Sequence, residues 1–436
     1  MDLRLILRAL RSRNYRLFFI GQLISLVGTW MQNVAMGWMV YRLTGSALML
    51  GTVSFSSDIF AFLLMPFAGV LADRLDRRRM LITLQTLMLT QALTLAVLVL
   101  SRRIEIWQVL VLAAFMGVLN AFDMPTRQSF VIEMLEDKSD LQNAIALNSS
   151  LFNAARLLGP SAAGVIIAAV GEGCCFLINA VSYSAVVIAL CLMKLPRRAV
   201  ASDATDGLEN LREGFAYTFG FLPLRNIMLL VSLSSLMGIS YVVLMPIIAR
   251  DILYGGPKTL GFLMSAAGLG ALIAAIYLAA RKNIHGLAKF IPYSAAVFGC
   301  AILALALSRN FFLSLAAMVF VGAGLTSEMA CSNTIIQTVV DNDKRGRVMG
   351  IYAMAFRGIA PFGSLLAGFL AAKIGTATTL IFTGGAIVIG AGLFARQLGV
   401  LIEMIRPIHL REGIISEETE ARESKPPTSI PPESTL

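Results

Sequence analysis

Charge is what this chain has least of for its size. Of 436 residues only 14% are charged while 57% are hydrophobic, and the mean hydropathy is +0.77. Soluble globular proteins carry about 25% charged residues, so this composition excludes a soluble domain and describes an all-α membrane protein. Histidine is almost missing: His285 and His409 are the only two, both in or beside expected loops. Neither HExxH nor GxSxG occurs, and no glycine-rich phosphate loop stands in the chain. Hydrolytic chemistry and an ATP drive are thereby disfavoured; we expect no enzyme, no cofactor and no metal. The five cysteines, Cys174, Cys175, Cys191, Cys300 and Cys331, lie in or at the ends of apolar runs and form no CxxC, so neither a disulfide framework nor a metal site is implied. The net charge of +10 comes from short Lys/Arg clusters flanking apolar runs. That pattern suits the lipid bilayer and topology control, and no nucleic-acid partner is expected.

What the chain has is long apolar runs. A bilayer-spanning helix needs about 20 apolar residues. On that ruler there are twelve spans, near 17–41, 47–72, 80–100, 106–125, 141–170, 174–194, 226–249, 259–280, 287–307, 310–335, 347–372 and 376–398. With the N-terminus inside, 27 of the 36 Lys and Arg fall in cytoplasmic segments and 7 outside; Arg156 and Arg357 lie within spans. The positive-inside rule places both termini in the cytoplasm. The basic, amphipathic N-terminus reads as a retained surface helix rather than a cleaved signal.

Four parts follow. Residues 1–194 form a first six-helix bundle and 226–398 a second. Between them, 195–225 is a linker in which Leu208, Leu211, Phe215 and Phe219 recur at helical spacing, with Asp206 and Glu209 as a capping pair. The segment 399–436 is polar and Pro/Glu/Ser-rich, and is expected to be a disordered cytoplasmic tail.

The two bundles look like repeats. Gly117 to Asp123-Met124 matches Gly322 to Glu328-Met329, and Arg156-Leu-Leu-Gly-Pro160 matches Arg357-Gly-Ile-Ala-Pro361. Each half thus carries an acid late in its fourth helix and an Arg-xxx-Pro in its fifth. Two like-oriented halves imply a pseudo-two-fold axis along the membrane normal.

Ionisable groups inside the spans are the functional candidates. Each costs about 2.5–3.5 kcal/mol near a helix centre, so each needs a partner or a wet cavity. Asp58, Asp123, Glu328, Arg156 and Arg357 are therefore proton-coupling candidates, unless they form a static salt-bridge network holding the bundles together. Asp58 is the preferred of these, as a proton or cationic-substrate site: it lies near mid-span among serines in Ser54-Phe-Ser-Ser-Asp58 and has no recognisable repeat counterpart. Polar stripes mark a substrate cavity between helices: Gln22, Ser25, Thr29 and Asn33 on the first span, Ser149, Asn153 and Arg156 on the fifth, Ser234 and Tyr241 on the seventh. Hydrogen bonding between helices explains any single stripe equally well.

One charged run breaks the apolar pattern: Gly69-Val-Leu-Ala-Asp73-Arg74-Leu-Asp76-Arg77-Arg78-Arg79. It resembles the loop 2–3 signature of the major facilitator superfamily, with Asp76 in the turn where that family carries a glycine. Gly159-Pro160-Ser-Ala-Ala-Gly164 is similar to the fifth-helix antiporter motif, with Ala163 replacing a glycine. Gly28-Thr-Trp30-Met-Gln32-Asn-Val-Ala35, Met124-Pro125-Thr-Arg127-Gln128 and Arg345-Gly346-Arg347-Val348 resemble the drug- and siderophore-exporter branch. The resemblance implies twelve helices in two pseudo-symmetric bundles. It also implies a cytoplasmic gate in which Asp73 meets the eleventh helix near Gly346–Gly350, and Gly69, Arg74, Arg77, Arg78, Asp123, Arg127, Arg345 and Arg347 belong to that charge network. The repeat counterpart, Ala280 to Gly286, has lost the Asp, so this latch is one-sided.

The expected function is alternating-access export of an amphipathic small molecule (drug, siderophore or related metabolite), in exchange for protons, by a monomer in the cell (inner) membrane. A lysophospholipid cargo is the alternative on the same fold, and a non-transporting membrane sensor or scaffold a third reading.

Overall fold

The computed structural model describes residues 7–194, 207–281 and 286–411; the side chains of 65–67, 69, 70, 72–74 and 207–211 fall outside the description. Among the described residues, twelve helices are long and apolar enough to cross a membrane. They are α1 Arg13–Thr44, α2 Ala47–Arg74, α3 Arg77–Leu100, α4 Ile106–Phe130, α5 Leu141–Val170, α6 Glu172–Leu192, α7 Leu222–Ile252, α8 Pro257–Ala280, α9 Leu287–Leu307, α10 Phe311–Val339, α11 Arg345–Ile374 and α12 Thr376–Arg411. Local chemistry sets their ends. Ser46 and Asp76 cap α2 and α3 by accepting from the backbone N–H of Met49 and Arg79. Glu105 and Gln108 close a reciprocal capping box at α4, and Asn310 accepts two backbone N–H groups at α10. Gly45, at φ +60°, ends α1 in the left-handed region open to glycine.

The helices pack as two six-helix bundles with the same internal pairings. In the first, α1 packs on α6, α2 on α4, and α3 on α4 and α6; in the second, α7 packs on α12, α8 on α10, and α9 on α10 and α12. Across the pseudo-two-fold, α2 lies along α11 and α5 along α8. Both cross-seams are built from glycine. A Cβ on Gly51 would sit 2.5 Å from the Ser364 carbonyl oxygen and 3.1 Å from Gly368 Cα; a Cβ on Gly164 would sit 2.7 Å from the Pro257 oxygen and 3.1 Å from Gly261 Cα. Backbones that approach this closely gain packing that no larger residue permits.

Both seams lie toward the face opposite the two termini. We call this the far face, and the face holding the start of α1 and the end of α12 the terminal face. At the terminal end of α11, Gly346 and Gly350 have open space around them, and on the terminal half of α5 Ser149 and Ser150 are exposed. The halves therefore meet at the far face and part toward the terminal face.

Two segments differ from the expectation. The helix α12 runs to Arg411 instead of ending at 398, because Leu401, Ile405 and His409 continue a buried stripe and His409 pairs with Thr338 at 3.1 Å. The rest of the expected tail, 412–436, lies outside the described residues, as do 195–206 of the linker and 282–285, which include most of the repeat counterpart of the charged run. The linker helix, Gly207–Gly220, docks on the first turns of α11: Glu213 pairs with Arg347, the Lys344 ammonium sits 4.6 Å over the Tyr217 ring, and Gly214 abuts the Arg347 side chain. Burial and the neighbouring Asp341 raise the Tyr217 phenol above its ordinary value.

The seams yield a prediction. Gly164→Leu forces side-chain volume into a backbone contact and should cost about 1–3 kcal/mol. It should lower the melting temperature of the purified protein, whereas Gly385→Leu, with nothing within 4 Å of its Cβ direction, should not.

Candidate functional site

Mid-depth charge is concentrated where the two bundles part. On α2, Gly51, Phe55, Asp58 and Phe62 recur on one face, and that face meets α11: Phe55 and Phe62 set their rings edge-on to Phe362, and Phe62 lies against Gly358. Asp58 is thereby turned toward the other bundle. Arg357 answers it from α11; the two charges act on one another, and Arg127 is also within range of Arg357. The Arg357 guanidinium crosses to the first bundle and reaches Met124 Sδ at 2.7 Å.

Arg357 owes its direction to a π turn, Met354–Gly358, inserted in α11. Such a turn frees a backbone carbonyl, and the Phe356 carbonyl accepts a hydrogen bond from the Ser235 hydroxyl of α7. The seams make Gly164, packed on Gly261, the counterpart of Gly368, packed on Gly51, three residues beyond the register that matches Arg156 to Arg357 in sequence.

Arg156 holds the opposite wall. On α5, Gly159 abuts Trp30 and Val27 of α1, and Leu157, Pro160 and Gly164 meet α8, where Ser265 donates to the Leu157 carbonyl at 2.7 Å. Leu158 and Val165 point the other way and are exposed, as lipid-facing residues would be. Arg156, Asn153 and Ser149 occupy the sector between α1 and α8, on the crevice. The Arg156 guanidinium lies 6.0 Å over the Trp30 ring, and no carboxylate pairs with it among the described residues.

The other expected cavity residues are mostly elsewhere. Gln22 and Ser25 are buried, and the Thr29 hydroxyl donates to the Ser25 carbonyl and pairs with Tyr183 of α6, so these three sit inside the first bundle. They belong with a buried amide chain in which Asn179 donates to Gln32 and Gln32 to Gln91. Asn33 alone of that stripe is exposed. Ser234 is buried because its hydroxyl donates to Glu328 Oε1 at 2.7 Å, and Tyr241 is buried edge-on to Phe298. Neither lines the open space. Of the repeat-related acids, Asp123 is satisfied twice, by Gln85 at 2.8 Å and by Arg127 at 3.3 Å. Glu328 is wholly buried with Ser234 as its donor; its Oε2 has no partner, and neither has the hydroxyl of Ser332 one turn on, where the first half carries Arg127.

The gate residues also divide. Arg77 donates to the Ser129 carbonyl and to Glu133 at 2.7 Å, and Arg78 to the carbonyls of Leu190 and Cys191, so both tie α3 to neighbours in the first bundle. Arg347 is held by Glu213 of the linker helix, and Arg345 is exposed. The side chains of Gly69, Asp73 and Arg74 lie outside the described residues. At the far face a latch absent from the sequence reading closes the halves: Tyr41 of α1 donates to Asp251 of α7, with Arg250 5.7 Å over the Tyr41 ring, and Arg42 pairs with Glu172 at 2.7 Å beside it. An Arg-Asp pair ending an apolar run after Pro246 was its only sequence signal.

Two like bundles, closed by glycine at one face and parted around mid-depth charge at the other, define a membrane transporter of the major facilitator type. Residues 6–406 match the model of the transmembrane secretion effector family, and the chain belongs to that family. It is 27% identical over 369 residues to the staphyloferrin A transporter of Staphylococcus aureus, covering 84% of this chain and 92% of that one. It is 25% identical to the multidrug efflux pump Tap of Mycolicibacterium fortuitum, covering 84% and 91%. The fold is shared with the crystal structure of the nucleoside transporter NupG (D323A mutant) at TM-score 0.69, 14% identity, and coverage of 88% and 99%.

The far-face latch can be tested directly. Tyr41→Phe removes one charge-assisted hydrogen bond, worth about 1–2 kcal/mol where solvent reaches it. Spin labels at Ser46 and Gly256, in a cysteine-free background, should then show a larger population at long separation than the parent protein.

Proposed function

We propose that this chain exports a small amphipathic molecule in exchange for protons across the bacterial inner membrane, with the terminal face in the cytoplasm. The positive-inside count supports that orientation, and relatives named the staphyloferrin A transporter and the multidrug efflux pump Tap support export of a small molecule. The crevice opens to the terminal face, the side from which an exporter loads. Rocking the bundles about the glycine seams would present it to the far side.

The observation that carries proton exchange is Glu328. It is a fully buried carboxylate with a single hydroxyl donor, a second oxygen without a partner and, among the described residues, no arginine paired with it. A proton can take that open position without displacing any bond. Asp58, the preferred carrier on sequence grounds, faces Arg357 and is already answered by a cation. Coupling is therefore assigned to Glu328, with Ser234 as its orienting partner, and its strength is the difference in proton affinity between the two facing states.

Inside-out vesicles with an acidic lumen provide the test. Uptake of fluorescein or rhodamine 123 should accelerate with the gradient and collapse when nigericin dissipates it. Glu328→Gln should exchange dye down its own gradient yet ignore the proton gradient, while Asp58→Asn keeps its response. Wild-type uptake that is indifferent to the gradient would defeat proton coupling, and a Glu328→Gln protein that still responds would defeat the assignment.

A further inference from the structure

The charges on the crevice do not balance. Arg127 is matched by Asp123 one turn away. Arg357 and Arg156 remain, one from each bundle, and among the described residues Asp58 is the one carboxylate that acts on Arg357. Arg156 has no carboxylate partner among the described residues and rests on the Trp30 ring. Glu328 is committed to Ser234, inside the second bundle. The crevice is thus one negative charge short, at membrane mid-depth, where an uncompensated cation is costly.

We propose that the cargo supplies that charge: the transported molecule is an anion, carboxylate-bearing, held between Arg156 and Arg357. This rests on the export reading and names its substrate class. Guanidinium groups suit the role because their planar fork takes a carboxylate by two parallel hydrogen bonds. The two arginines come from opposite bundles, so a carboxylate bridging them touches both moving parts and favours the arrangement that brings them together. The walls beside the charges are aromatic, Trp30 near Arg156 and Phe62 with Phe362 near Arg357, which fits an anion carrying an apolar or aromatic body. Asp58 acts as a resident competitor. With no cargo bound it partly neutralises Arg357, and a bound anion must outbid it.

The test uses two xanthene dyes of similar size and opposite charge, with binding to the purified full chain followed through dye anisotropy. Fluorescein should bind saturably and rhodamine 123 more weakly. Arg156→Gln and Arg357→Gln should each weaken fluorescein binding by about tenfold, as expected for losing a hydrogen bond to a charged group. Asp58→Asn should tighten it. Lysine at either arginine position should retain part of the affinity, and stands in wherever a glutamine variant has a lowered melting temperature. Fluorescein affinity unchanged in well-folded glutamine variants, a preference for rhodamine, or no saturable fluorescein binding would each overturn the anion site. The two readings fail separately. Gradient-driven rhodamine flux without fluorescein binding leaves export standing and removes the anion site. Arginine-dependent fluorescein binding without gradient-driven flux of either dye keeps the site and removes proton-driven export.

Discussion

The close approach of backbones along the two glycine seams is the constraint on which the rest depends. Gly51 against Gly368 and Gly164 against Gly261 bring α2 onto α11 and α5 onto α8 with no side chain between them. Lipid tails are as apolar as leucine, so greasiness alone gives no reason for one bundle to prefer the other. Close packing does. Because both seams lie toward one face, they also act as a fulcrum, and the charged crevice opens on the other side of it.

Much of this architecture could be read from the sequence. The twelve apolar runs, the internal match of Asp123 with Glu328, and the Gly69 to Arg79 signature place the chain in its fold. The reason is physical: span length is dictated by the bilayer, and helix count follows from hydropathy alone. Direction within a helix was less legible. Gln22, Ser25, Thr29 and Ser234 form polar stripes that lie inside their own bundles, whereas Asn153 and Arg156 form a stripe that faces open space. A stripe on one helix looks the same in both cases, and only the neighbours on α6, α8 and α10 tell them apart. The end of α12 was misjudged for a related reason, since Leu401 and Ile405 are too sparse for a span yet enough for an amphipathic extension.

The two halves share a plan and differ in their polar cores. The first is tied by amides and by Asp123 with Arg127; the second pairs Tyr241 with Phe298 and leaves Glu328 with a hydroxyl. Duplicated scaffolds of this kind let one copy hold its shape while the other carries a group free to change protonation. The position on α8 that corresponds to Asp58 through the glycine register is Gly268, which packs on the Arg156 backbone, so the acid facing the crevice is also contributed once.

The π turn at Met354–Gly358 sets the phase of α11. Toward the far face the helix keeps time with the glycine seam; toward the terminal face it keeps time with the linker helix through Arg347 and Glu213. The extra residue in that turn is the offset between these two rhythms. A chain lacking one residue there would wind as an unbroken α-helix, and its lower half would rotate by about 100° relative to its upper half. Arg357 and Arg347 would then point away from the crevice and the linker, although no charged residue had been altered. For α11, the number of residues in a single turn is as much a determinant of function as the identity of any one of them.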